Sequence, residues 1–489
     1  MLYDIVVIGG GINGCGCAAD AALRGLSVLL CEEDDLASKT SSKSSKLIHG
    51  GLRYLEHYDF NLVKKSLDEQ AVLMTIAPHL VHPLPFVLPY RKTLRPSWVL
   101  RAGLFLYDRL SRINPLPNSK KIIKKTHPQY FNPTPDIDTG FLFYDCHTDD
   151  ARLTISVALQ AKEHGASILT HTKFVTAQAQ NDHWIVTLQP KKGKPFQVSA
   201  KAIVNAAGPW AHDIAQRLNL PVKQRMTYVK GSHIVVPALY TGQHAYLLQA
   251  PDQRIVFVIP YLGYSLVGTT DVLLNQNSDP LDIDPAEITY LKNIIQSYFH
   301  QSPSTIVATW SGVRALCASS DKKASQLTRD YVVELSKNPL PIASILGGKL
   351  TTYRHVAAET IDGLQKNSFP QWPASCTKTA ILPGGLWENS RSLTEYKLYA
   401  SRQYAWLDLS ILEHYLTHYG TRTEIILQDC TKPSDLGQAF GPILHQKEVD
   451  YLQQEEWASS AEDILWRRTK LGLSINDNDR TALEVYLKD

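Results

Sequence analysis

Gly9, Gly11 and Gly14 satisfy the spacing G-x-G-x-x-G directly behind the apolar run Ile5–Ile8. That pattern can do one thing well, which is to hold a diphosphate. The glycines permit a tight turn, a close backbone approach to a pyrophosphate, and close packing of helix on strand. N–H groups at the start of the following helix face the anion. Glu32 lies eighteen residues beyond Gly14, at the end of a second apolar strand, Ser27–Leu30. A carboxylate there holds a ribose hydroxyl. An ADP-containing cofactor follows, and these residues alone do not separate FAD from NAD.

Other segments concentrate groups that could act on a ligand. Ser41–Tyr54 packs small residues, a histidine, twin glycines and Arg53 into one loop, and Asn205–Trp210 ends a strand in small residues where a flat ligand can approach. Lys230–Pro237 opens a strand carrying His233, while Ser311–Leu316 and Thr328–Tyr331 offer Arg314 and Arg329. Gly347–Thr352 joins a strand to a helix, so its N–H groups and Lys349 face any anion at that helix start. For any one arginine a surface ion pair is the ordinary alternative, and for His233 a satisfied structural histidine.

Positioning these groups takes more than one domain, which 489 residues supply. Hydrophobic content of 44% implies a well-buried globular protein, and a net charge of +3 is too balanced for nucleic acid as the main partner. Seven cysteines without disulfide-like spacing point to a reducing, cytosolic compartment. The first strand starts by Tyr3, which leaves no room for a signal peptide, and no long uncharged apolar run suggests a spanning helix.

The pattern predicts helices at Phe60–Ala77, Ala151–His164 and Thr351–Leu364, a strand pair over Ile168–Gln189 turning near Asn181-Asp182, and buried strands at 202–208 and Ile342–Leu346. Alternation at Ser232–Val236, Arg254–Ile259 and Ser265–Thr269 predicts a separate antiparallel sheet. Beyond about residue 370, Glu, Gln, Leu and Trp at helical spacing predict a helical domain. Trp98–Leu110, with Arg91, Lys92, Arg95, Arg101, Arg109 and Arg112 around it, is a basic amphipathic stretch. It either lies in a membrane interface or packs its apolar face inward.

Over nearly its whole length the chain resembles the bacterial-type respiratory glycerol-3-phosphate dehydrogenases, which use FAD and quinone. The resemblance is carried by Ile12-Asn-Gly14, Ser44–Glu56, Lys230–Pro237, Gly268-Thr-Thr-Asp271, Gly347–Arg354 and Trp466-Arg-Arg-Thr-Lys470. Ala315 stands where proline is expected, Ala206-Ala207 replaces Ala-Thr, and no calcium-binding loop follows residue 370. The resemblance implies an α/β fold: a Rossmann-like FAD-binding domain interleaved over 1–370 with an antiparallel substrate sheet (78–145 and 222–335), then a helical domain over 371–489. It implies cofactor contacts at Gly9, Gly11, Gly14, Glu32, Ser41, Ser42, Lys46, Leu47, Val175, Ala207, Gly208, Trp210, Gly348, Leu350 and Thr351.

A phosphate monoester needs several fixed cations, and arginine's planar fork suits it best. Arg53, Arg329 and Lys349 are the substrate-binding candidates, joined by Tyr54 and Thr270. His233 is the candidate base, because an unperturbed imidazole titrates near working pH, and Arg314 resembles the arginine the family places at the reacting carbon. The expected reaction takes sn-glycerol 3-phosphate to dihydroxyacetone phosphate on non-covalent FAD. Electrons then pass to quinone from a peripheral homodimer on the inner face of the plasma membrane. The alternatives are an oxidase making hydrogen peroxide, an amine or amino-acid oxidase, and a non-catalytic nucleotide-binding or scaffold protein. No metal is expected.

Overall fold

In the computed structural model, residues 2–91, 96–131, 134, 136–221, 224–276, 281–318, 330–385 and 392–488 are described. The first strand, Leu2–Ile8, pairs in parallel with Val28–Cys31 on one side and Phe196–Asn205 on the other. Ser167–Leu169 and Ile342–Leu346 extend the parallel sheet outward. Ile5, Val6 and Val7 are wholly buried, which is why this strand reads as an unbroken apolar run: both faces are covered. Helices Ile12–Leu23, Asp150–Glu163 and Tyr353–Ser368 share one core beneath it. Small residues let them approach; a Cβ on Gly16 would already touch Tyr353 at 3.0 Å. The hairpin Thr172–Gln180/His183–Pro190, turning at Asn181, hangs from Phe196–Asn205.

A second, ten-stranded sheet stands beside the first. The long strand Arg225–Pro237, near one edge, is antiparallel to Tyr264–Gly268 and Ala308–Ala318. Val81–Pro89 joins Ala245–Gln249 in parallel, so the sheet is mixed rather than purely antiparallel. It also takes Leu47–Ile48 from the segment after the nucleotide motif. The boundary expected at 335 falls inside Val332–Ser336, a strand of the first sheet. Helix Pro285–Phe299 packs on one face of the second sheet, and Ser97–Leu110 on the other. Helices Leu393–Gln403, Leu409–Tyr419, Gln446–Glu456 and Asp477–Tyr486 build a C-terminal unit with its own core around Tyr415, Leu452 and Ile464.

Candidate active site

One long cleft runs between the two sheets, from Glu32 to Lys349 and Arg314. Two of the three motif glycines are required by packing. A Cβ on Gly14 would fall 1.9 Å from the Gly9 carbonyl oxygen, and one on Gly9, at φ +109°, would lie 2.7 Å from that of Ala206. Gly11 differs: a Cβ there meets only Ser41 Oγ, at 3.1 Å, so Gly11 faces the cleft. Ser41 Oγ accepts the Ile12 N–H at 2.9 Å, closing the first helix start against the loop. Glu32 accepts the Gly10 N–H at 2.6 Å and the Asp34 N–H at 2.9 Å, and burial holds its pKa above the ordinary value.

Ala207, Gly208 and Trp210 form the facing wall, and Leu47, Gly348, Leu350 and Thr351 the far end. Val175 is the extra residue of a bulge between Phe174 and Thr176, with no residue of the facing strand opposite it. Its side chain is exposed, and Lys173 and Phe174 line the cleft where Val175 does not. Ser42 and Lys46 do not reach the wall either. Ser42 Oγ turns to the Lys39 carbonyl, and the Lys46 ammonium is committed to Asp150 at 2.7 Å. These residues fit a dinucleotide: a carboxylate for a ribose, a helix start beneath a pyrophosphate, and a second helix start under a flat ring.

At the far end His233 is buried, its Nε2 2.8 Å from Ser45 Oγ and its ring stacked on Trp310. Burial, then the charges of Arg314 and Lys46, pull its pKa down to about 3. The ring is therefore neutral at any working pH, not half-titrated as its ordinary pKa suggests. Arg314 is fixed by Asp271 at 2.8 Å, Thr269 Oγ1 at 3.0 Å and the Thr270 carbonyl at 2.9 Å. Arg53 stands 3.9 Å from the other Asp271 oxygen, and the Lys349 ammonium lies 4.9 Å over the Tyr54 ring.

Thr270 is a correction. Its hydroxyl donates to Glu287 at 2.5 Å and accepts the Ser232 N–H at 2.9 Å, away from the cleft, and Thr269 lines the cleft instead. Arg329 lies outside the described residues. His49 and Asp271 were missed as site residues. His49 lines the cleft, with its backbone N–H held by Thr351 Oγ at 3.2 Å. The signal was present in both cases, in the runs His-Gly-Gly and Gly-Thr-Thr-Asp. A neutral imidazole, fixed cations and a dinucleotide cleft on one wall can together bind a phosphorylated alcohol and take its hydroxyl proton.

A second cavity adjoins the first through His49, Tyr54, Phe257 and Thr269, which line both. Leu55, Leu100, Leu104, Leu106 and Leu247 make it largely apolar. Helix Ser97–Leu110 forms its outer wall, burying Leu104 and Tyr107 while Trp98 stays 74% and Phe105 53% exposed. Arg101, Arg109 and Arg112 are exposed around it. Arg91 is not available to a membrane: it donates to the Ser297 carbonyl and stacks 3.9 Å over Tyr298. Lys92 and Arg95 lie outside the described residues.

Residues 4–354 match the family described as FAD dependent oxidoreductase, and 375–488 the one described as C-terminal domain of alpha-glycerophosphate oxidase. A glycerol-3-phosphate dehydrogenase of Pseudomonas aeruginosa is 44% identical, over 100% of this chain and 95% of that protein. A D-erythritol 1-phosphate dehydrogenase of Brucella abortus is 42% identical, over 98% and 96%. The crystal structure of a glycerol-3-phosphate dehydrogenase from Bacillus halodurans, complexed with FAD, superposes with TM-score 0.77 at 23% identity. It covers 100% of this chain and 94% of that one.

Proposed function

The chain belongs to the FAD-dependent oxidoreductases, and within them to the glycerol-3-phosphate dehydrogenase family, and on that premise we propose how it works. Its cofactor is FAD, and its reaction is oxidation of sn-glycerol 3-phosphate to dihydroxyacetone phosphate. The observation that supports this reading is that Arg314 and Lys349 line one cleft with His233 and His49, at its far end from Glu32, while Arg53 lines the adjoining cavity and stands 3.9 Å from Asp271. Bound FAD supplies the hydride acceptor. Arg53 and Lys349, with Arg329, hold the phosphate, and Arg314 polarises the C2 oxygen. His233, neutral and buried, receives the C2 hydroxyl proton; Ser45 fixes its ring orientation.

Electrons go on to a membrane quinone. No described helix is long and apolar enough to cross a membrane, so the enzyme must meet the lipid surface to reach one. Helix Ser97–Leu110, with its exposed Trp98 and Phe105 and flanking arginines, is the docking face, on the inner side of the plasma membrane. A homodimer would double that contact. The apolar cavity beneath the helix shares its inner wall with the substrate end of the cleft, which supports an apolar acceptor.

Anaerobic mixing tests the assignment. Glycerol 3-phosphate should bleach the flavin at low concentration, and glycerol should not. Faster bleaching by D-erythritol 1-phosphate would move the assignment to that substrate. Stoichiometric peroxide with no quinone reduction would make the protein an oxidase.

A further inference from the structure

The segment Trp466–Lys470 belongs to the C-terminal domain, yet its charges reach into the flavin cleft's wall from behind. Residues Asp463–Arg468 are wound as a π-helix, which sets Arg467 and Arg468 beside one another. Arg468 is wholly buried and forks onto both oxygens of Asp35, one at 2.8 Å, while Arg467 Nε donates to the same carboxylate at 2.6 Å. Lys470 reaches Asp149 at 3.1 Å. The next residue, Asp150, accepts the Ser44 N–H at 3.0 Å, the Ser44 hydroxyl at 2.8 Å and the Lys46 ammonium at 2.7 Å.

Asp35 and Ser44 lie in one stretch, residues 32–45, whose members Glu32, Ser38, Ser41 and Ser45 line the cleft. Between those anchors the only regular structure is the single turn Thr40–Ser42. Besides its own turn hydrogen bonds, this stretch is fastened to the nucleotide turn by the Ala37 N–H on the Gly10 carbonyl at 3.0 Å and to the second sheet by the Thr40 hydroxyl on the Val313 carbonyl at 2.9 Å; its Asp35 is held from the C-terminal domain. Buried Asp35 is tolerable only while paired, because an unpaired buried charge is strongly destabilising. Docking of the C-terminal domain and the position of this wall are thereby coupled.

We propose that Arg467 and Arg468, acting through Asp35, are positioning residues for the cofactor: the C-terminal domain clamps the 32–45 wall and sets how tightly FAD is retained. By reciprocity, bound FAD tightens the docking of the C-terminal domain. The proposal rests on FAD as the cofactor and not on the substrate assigned above.

The test measures flavin in the ultrafiltrate of purified holoenzyme at graded protein concentrations. Arg468→Gln should raise the FAD dissociation constant by about tenfold or more, equivalent to about 1.4 kcal/mol. Glu456→Gln is the control. It weakens the buried Arg152–Glu456 side-chain pair, which joins the same two domains, and leaves in place both the Glu456 carbonyl that accepts from Arg468 and the Asp150 contacts to Ser44. It should lower Tm and leave FAD affinity unchanged. Wild-type affinity in Arg468→Gln, or equal flavin loss in Glu456→Gln, overturns the proposal. If Arg468→Gln does not accumulate folded, Arg467→Gln decides it. That variant removes one of the two arginines on Asp35, so a smaller rise in the FAD dissociation constant is expected, and unchanged affinity overturns the clamp.

Discussion

Arg53 shows how little a residue type says until its neighbours are known. Its guanidinium shares Asp271 with Arg314, at 3.9 Å against 2.8 Å, so Arg314 is the more closely held member and Arg53, on the cavity that adjoins the cleft, is the proposed phosphate contact. Arg53→Ala should therefore lower kcat/KM for glycerol 3-phosphate by the loss of a charge-assisted contact. That is worth about 1.5–3 kcal/mol, or roughly 10- to 150-fold, mostly in KM. An unchanged KM would remove Arg53 from the phosphate site. His233 makes the opposite prediction. Being buried and neutral, it binds no charge, so His233→Ala should slow anaerobic flavin reduction more than it weakens binding. If the rate holds, proton removal falls to His49, the other imidazole on the wall.

Among the elements, the nucleotide turn separates two jobs that the glycine pattern merges. Gly14→Ala drives a Cβ into a backbone oxygen and should cost the fold itself, seen as lost soluble protein or a lowered Tm. Gly11 has an ordinary φ of −78° and open space beyond Ser41. Gly11→Val should fold and purify colourless, because its branches occupy the phosphates' room; a yellow Gly11→Val protein would refute the cleft assignment. Helix Ser97–Leu110 divides in the same way. Leu104 and Tyr107 belong to the core, with the Tyr107 hydroxyl on Asp145 at 2.7 Å, while Trp98, Phe105, Arg101 and Arg109 face outward. Trp98→Ser with Arg101→Gln and Arg109→Gln should cut binding to anionic vesicles yet leave anaerobic bleaching intact. Equal loss of both would return the helix to a purely structural role.

At the level of the whole molecule, buried histidines set the acid limit. His79 and His233 in the larger part, and His418 in the C-terminal domain, are each pulled down to about 3 by burial first. Unfolded, each titrates near 6.5, so below that pH the unfolded chain binds more protons and stability falls as pH drops. One such group costs up to about 2 kcal/mol at pH 5. Asp145 works against them, since burial raises its pKa to about 6 and its protonated form favours the fold. His147 and His244, drawn to about 4 by burial, join the three, and Asp20 and Glu32, raised by burial, join Asp145, so the histidines still outnumber the carboxyls. The urea midpoint should be lower at pH 5 than at pH 7, and equal midpoints would show that these imidazoles are solvated.

The features that could be read directly from the chain are those generated by neighbours in sequence. Runs of apolar and small residues announce strands covered on both faces, as at Ile5–Ile8 and Ile342–Leu346, and three-glycine spacing announces a turn over phosphate. Helical periodicity likewise announced Phe60–Ile76 and Asp150–Glu163, and alternation announced the strands around His233. What could not be read there is the direction each side chain faces and the partner it meets. Thr269 and Thr270 are identical and adjacent, but the short link between Tyr264–Gly268 and Val272–Leu274 turns one to the cleft and the other to Glu287. Lys46 sits in a cofactor-like loop, yet its ammonium is taken by Asp150 from 104 residues away. Arg467 meets Asp35 across 432 residues. Local pattern carries the backbone's hydrogen-bonding and burial requirements, because these repeat with the period of the element. Pairing of buried charges depends on register and domain docking, which exist only once the chain has folded.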